Sequence, residues 1–168
     1  MWFIQCLQSF IWPDIAHFGI MPRTLDGLTG IPFAPWIHHG WWHLFSNSIP
    51  FIILGSIIQL NSKTLFWEAT LIIVVISGII VWCFGSSANH AGASGLILGY
   101  WSFILAQAYY SKSLKSLAIA TVVLLIYGGF IFVMFDVRAH ISWIGHVGGM
   151  IAGVFAAKLY VASEKNDT

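Results

Sequence analysis

The sequence predicts an all-α polytopic membrane protein, a bundle of six transmembrane helices, and three observations carry that prediction. Hydrophobic residues make up 58% of the 168 and charged residues 8%, too little charge to keep the surface of a water-soluble domain wet. Mean hydropathy is +0.84. Five apolar segments, with a shorter one ahead of them, approach the roughly 20 residues that a helix needs to cross the hydrocarbon core.

The first segment, Met1 to Ile11, is too short to cross alone. Extending it to Ile20 brings Pro13, Asp14 and His17 into or near the membrane, where an aspartate at depth costs about 3 kcal/mol. A first span within 1–20 is therefore short and tilted, or lacks residues upstream. No cleavable signal is expected, because no basic region leads the segment and Trp12-Pro13-Asp14 stands in place of a small-residue cleavage site. An outer loop rich in Gly and Pro follows over 21–41, with Arg23 as its one permanent cation. The remaining spans are expected from Trp42 to Leu60, Thr64 to Phe84, Ala91 to Tyr110, Leu114 to Met134 and Ile141 to Val161. Their connections are very short, which makes neighbours antiparallel and 1–168 a single domain. Lys63, Lys112, Lys115, Lys158 and Lys165 fall on one side, against Arg23 and Arg138 on the other, so the lysine side is assigned to the cytoplasm. Both termini are then cytoplasmic, while the first loop, Gly85 to His90 and Phe135 to His140 face outward. Ser163 to Thr168 reads as a frayed polar tail.

A net charge of +1 gives no field for holding a phosphate backbone, so nucleic acid is excluded as a partner. Cys6 and Cys83 lie in apolar stretches and read as small buried hydrophobes.

Polar side chains inside apolar helices are expensive and ask for a function. They gather at the outer ends of three spans: His43, Ser46, Asn47 and Ser48 on the second; His90, Gly92, Ala93, Ser94 and Gly95 at the fourth; His146 on the sixth. His43 and Asn47 are four residues apart and share a helix face. Two such donors can stabilise an oxyanion, or they can hold helices together by hydrogen bonds. His38 falls half a turn from Asn47 on an ideal helix and is expected to shape the end of the first loop. His39 and His43 have a spacing that suits a metal, but a third ligand is missing. Gly92, Gly95 and Gly99 fall near one face, as do His146, Gly149 and Gly153. Helices with such stripes pack closely enough for a serine hydroxyl to meet an imidazole, the contact that a weak hydroxyl nucleophile requires. The other reading is small-residue packing around a buried, hydrogen-bonded histidine.

Together these motifs resemble the rhomboid family of intramembrane serine proteases. The family's HxxxxHxxxN reads His38-His39-Gly40-Trp41-Trp42-His43-Leu44-Phe45-Ser46-Asn47, its GxSG reads Gly92-Ala93-Ser94-Gly95, and its HxxGxxxG reads His146-Val147-Gly148-Gly149-Met150-Ile151-Ala152-Gly153. The resemblance implies Ser94 as nucleophile, His146 as general base, and an oxyanion hole from His43, Asn47 and the Ser94 N–H. It implies structural support from His38, Gly92, Gly95, Gly149 and Gly153, and no metal or other cofactor. The implied reaction is hydrolysis of peptide bonds in or beside the transmembrane helices of other membrane proteins, through an acyl-enzyme. The implied location is a bacterial cytoplasmic membrane with the active site open to the outer side. An inactive relative that binds transmembrane helices without cutting them is the alternative. Three departures stand out, the short first helix among them. Leu98 occupies the position, four after the serine, where many members carry an aromatic. Ile31-Pro32-Phe33-Ala34-Pro35-Trp36 occurs where many have a Trp-Arg pair.

Overall fold

The structure, a computed structural model, describes residues 1–133 and 142–166. Among these residues it is all α. The helices are α1 (Trp2–Phe10), α2 (Leu25–Thr29), α3 (Trp41–Asn61), α4 (Lys63–Phe84), α5 (Ser94–Ser111), α6 (Leu114–Tyr127), α7 (Phe130–Val133) and α8 (Trp143–Asn166). Short 3-10 turns occupy Pro13–Phe18 and Ala34–Trp36. An isolated antiparallel bridge joins Ile20 to His90.

Three helices, α3, α4 and α8, are long and apolar enough to cross a membrane, and α6 is a shorter apolar helix. The 18-residue α5 is not among them, and its place in the bundle explains why. Every residue from Leu96 to Ile104 is buried, so α5 is enclosed by other helices and needs no apolar coat against lipid; Gly99, Tyr100 and Ser102 are tolerated in it. The surrounding helices turn large apolar side chains outward, such as Ile52, Trp67, Leu71 and Leu125. The same outward habit corrects the expectation for the cysteines. Cys6 and Cys83 are free and exposed, because an apolar stretch on the rim of a membrane bundle faces lipid as readily as protein.

Several boundaries depart from expectation for local reasons. The fourth span starts at Ser94 instead of Ala91, since Gly92 has φ +124°, outside any right-handed helix. The fifth stops at Tyr127 and resumes as α7 after Gly128 and Gly129, two weak helix formers in a row. The tail is helical to Asn166 instead of fraying from Ser163, with the Tyr160 hydroxyl donating to Glu164 Oε1 at 2.6 Å. Met134 to Ile141 lie outside the described residues, and with them Arg138, the outward loop Phe135 to His140, and the adjoining ends of the fifth and sixth expected spans. Asp167 and Thr168 lie outside as well.

The first loop is ordered by hydrogen bonds to the C-terminal end of α4 and to the chain just before α5. The Arg23 guanidinium donates to the carbonyls of Gly85 (2.8 Å) and Cys83 (3.3 Å), where it neutralises the negative end of α4. Trp82 Nε1–H donates to the Thr24 carbonyl at 2.8 Å. Asn89 Nδ2–H donates to the Ala16 carbonyl at 2.6 Å. Ile20 and His90 exchange backbone hydrogen bonds at 2.8 and 2.9 Å. These contacts fix the chain that leads into α5.

The centre of the bundle is the pairing of α5 with α8. A Cβ at Gly149 would meet the backbone of Gly95, one at Gly153 the Gly99 carbonyl, and one at Gly99 the Gly149 carbonyl and Ile73. Helix backbones touch directly here, which only glycine permits. Ser102 Oγ–H, from α5, donates to the Met150 carbonyl of α8 at 2.8 Å.

Candidate active site

Three helix beginnings converge at one end of this bundle: those of α3, α5 and α8. Lys63 at the start of α4, Lys112 in the α5–α6 turn and Lys115 at the start of α6 sit at the opposite end. The converging starts carry the residues that the sequence singled out.

Ser94 is the first residue of α5 and half-buried. The strip before it is held from two sides. Gly92 N–H donates to the Ala34 carbonyl at 2.8 Å. Ala93 N–H points to His38 Nε2 at 3.4 Å. Ala93 supplies no side-chain cap to α5, so the first-turn N–H groups, which have no acceptor within the helix, remain beside Ser94 at the positive end of the dipole.

His146 comes in the first turn of α8 and is 6% exposed. Its Nε2 lies 3.0 Å from Ser94 Oγ. In a neutral imidazole with its proton on Nδ1, Nε2 is the acceptor and Ser94 the donor. The glycine contacts between α5 and α8 make that distance possible.

His43 packs its ring against the same strip. A Cβ at Gly92 would lie 2.7 Å from His43 Cε1 and 3.1 Å from its Nε2, so Gly92 is needed both for its positive φ and for the space it leaves. Asn47, one turn on, is 8% exposed, and its Nδ2 has no hydrogen-bond partner. A buried donor left unpaired costs about 1–3 kcal/mol, which makes this amide available to an acceptor that arrives from outside. His43, Asn47, Ser94, Leu98 and His146 all line one cleft of about 730 Å³. Leu98 and Phe130 form part of its apolar wall.

His38 does not line the cleft. It is fully buried and its ring meets that of His43 edge to face, with centroids 5.1 Å apart. Burial, reinforced by the neighbouring His43 ring, lowers its pKa to about 4, with the Trp36 carbonyl opposing in part. The ring is therefore neutral near pH 7, and Nε2 keeps the lone pair that Ala93 N–H faces. This places His38 at the end of the first loop, behind the serine strip. His39 is exposed. No group of three or more His, Cys, Asp or Glu side chains positioned to hold a metal occurs among the described residues.

The structure thus brings Ser94, His146, His43 and Asn47 together around one cleft, with Gly92, Gly95, Gly149 and Gly153 as the close contacts that allow it. A model of the rhomboid domain matches residues 26–163. The chain belongs to the rhomboid family. Rhomboid proteins are commonly intramembrane serine proteases, and this rhomboid chain has the apolar helices of an integral membrane protein. It is 38% identical over 156 residues to an uncharacterized protein of Mycobacterium tuberculosis, covering 88% of this chain and 65% of that one. An uncharacterized protein of Mycobacterium leprae is 31% identical over 174 residues, covering 98% of this chain and 69% of its own length. The chain thus spans about two thirds of these relatives. No solved structure matches it.

Two residues that sequence reasoning did not assign also border the site. His90, one of the polar groups at the fourth span, and Ser142 both line the cleft. The signal that could have found them is their spacing. His90 precedes Ser94, and Ser142 precedes His146, by four positions.

Proposed function

We propose that this rhomboid protein is an intramembrane serine endopeptidase, cutting peptide bonds in or next to the transmembrane helices of other membrane proteins. The observation that carries the reading is the 3.0 Å contact between His146 Nε2 and Ser94 Oγ, in a cleft that also holds an unpartnered amide donor. His146 takes the hydroxyl proton as Ser94 Oγ attacks the scissile carbonyl. The oxygen of the tetrahedral intermediate then accepts from the Ser94 N–H, Asn47 Nδ2 and the His43 ring, donors that are oriented before charge develops. His146 passes its proton to the leaving amine, an acyl-enzyme remains on Ser94, and a water activated by the same imidazole releases it. The chemistry needs no metal or other cofactor.

A helical substrate presents carbonyls already bonded within the helix, so it must unwind locally before attack. Small or helix-breaking residues near the membrane interface favour that step. In this reading the chain is a six-span bundle in a bacterial cytoplasmic membrane. The lysine-bearing end faces the cytoplasm and the cleft opens to the outer side, where water enters.

Purified protein in proteoliposomes should cleave a model transmembrane substrate, and Ser94→Ala and His146→Ala should each abolish cleavage without unfolding the chain. A fluorophosphonate probe should label wild type and spare Ser94→Ala. Cleavage retained in Ser94→Ala would discard the mechanism. A folded wild type that binds transmembrane segments, resists the probe and turns over none of a broad panel would make the chain a binding protein instead.

A further inference from the structure

We infer that His90 is a positioning residue for this reaction, holding the start of α8 at the distance from α5 that lets His146 reach Ser94; the inference rests on the dyad reading above. His90 is buried and lines the cleft. Its Nδ1 lies 2.7 Å from Ser142 Oγ and its Nε2 3.0 Å from the Ser86 carbonyl. A carbonyl only accepts, so Nε2 carries the proton and Nδ1 accepts from the Ser142 hydroxyl. The imidazole thereby ties two pieces of chain together, the loop before α5 and the residue that immediately precedes α8.

Ser142 is coupled to the dyad histidine through the backbone, since its carbonyl accepts from His146 N–H at 3.1 Å. That is the first helical turn of α8, so Ser142 and His146 are stacked on one side of it. The contact of His90 with Ser142 and that of Ser94 with His146 both join residues 52 apart. They are successive rungs between the same two chain segments, four residues apart on each. The upper rung has no chemistry to perform, yet it sets the lateral position of the helix end from which His146 projects. Its own anchor is firm, because the His90 backbone exchanges two hydrogen bonds with Ile20 and the Ser86 carbonyl fixes the far side of the ring. Without it the first turn of α8 would be held to α5 by the approach of Gly145 to Gly95 and by the glycine contacts further down the helix.

The test compares wild type, His90→Ala, His90→Gln, Ser142→Ala and the double variant His90→Ala with Ser142→Ala. In proteoliposomes, kcat and KM for a transmembrane substrate are measured separately, with the rate of fluorophosphonate labelling and the thermal midpoint of each protein. Each alanine variant should lose about tenfold or more in kcat and in labelling rate, the scale of a misplaced catalytic group, while KM is unchanged. The double variant should be no worse than either single change, because both remove one rung. His90→Gln can still accept from Ser142 and donate to Ser86, and should recover most of the loss. Wild-type kcat and labelling in Ser142→Ala, or losses that multiply in the double variant, would overturn the role of His90. Should His90→Ala fail to fold, Ser142→Ala alone decides. Ser94→Ala in the same assay separates the two claims. Activity there removes the dyad and this inference together, whereas an inert Ser94→Ala beside a fully active Ser142→Ala removes only this inference.

Discussion

Gly149→Ala puts the α5–α8 contact under the smallest possible load, one methyl group. Its Cβ would meet the Gly95 carbonyl oxygen, and would lie 2.8 Å from the Gly95 carbonyl carbon and 3.1 Å from its Cα. All three atoms are backbone, so no side chain can rotate away. Carbon atoms rest at about 3.5–4.0 Å, and relief therefore requires the two helices to part by roughly 1 Å. Overpacking of this kind costs about 1–3 kcal/mol of stability. The larger effect falls on the dyad, whose 3.0 Å contact opens with the helices to a distance too long for direct proton transfer. A misplacement of about 1 Å can lower turnover on the order of 100-fold. The assay is cleavage of a transmembrane substrate in proteoliposomes, run with thermal unfolding, and Gly129→Ala is the control because nothing lies within 4 Å of its Cβ position. Gly149→Ala with wild-type kcat and an unchanged unfolding midpoint would refute the claim that backbone contact at this glycine sets the dyad distance.

Gly92→Ala should be harmful through two separate effects, a non-glycine residue forced to φ +124° and a Cβ 2.7 Å from His43 Cε1. Turnover should fall by at least about tenfold, and a residue exchange at Gly40, which shares the positive φ but has open space, should cost stability more than activity. Asn47→Ala should lower kcat by about 100- to 1,000-fold with little change in KM, the signature of a donor used only in the transition state, measured by steady-state cleavage. Stability should depend on His38 as pH falls. Its folded pKa of about 4 lies below the ordinary value of 6.5, so between those values the unfolded chain takes up a proton that the native ring refuses. The stabilisation is complete above pH 6.5 and is lost as pH drops toward 4. Thermal midpoints across that window should fall in wild type, and the slope should flatten in His38→Gln.

The sequence disclosed the membrane class and the dyad candidates for physical reasons that differ. Apolar segments are visible in any single stretch of chain, because lipid imposes length and composition locally. Ser94, His146, His43 and Asn47 were visible because helical periodicity and glycine spacing tell which residues share a face, even when their partners are far away in sequence. Periodicity misled at Ala91 to Ala93 and at Gly128, where glycines counted as apolar small residues break the helix. It also placed Cys6 and Cys83 in the interior, since hydropathy alone does not tell a face turned to lipid from one turned to protein. The weak hydropathy of α5 was the opposite case, a central helix relieved of contact with lipid. His90 gave no periodic signal from its position in a loop; its partner is 52 residues away and becomes visible only once α5 and α8 are set in register.

The glycine seam between α5 and α8 has a mechanical consequence. Where side chains separate two helices, their spacing depends on rotamers that thermal motion and sequence drift can change. Here main chain rests on main chain, so the spacing at Gly95–Gly149 and Gly99–Gly153 is set by the dimensions of the peptide group itself. Along this seam the two helices should move as a unit: a thinner or thicker bilayer tilts the pair, and changes on their lipid-facing sides can accumulate, with the hydroxyl and imidazole carried together.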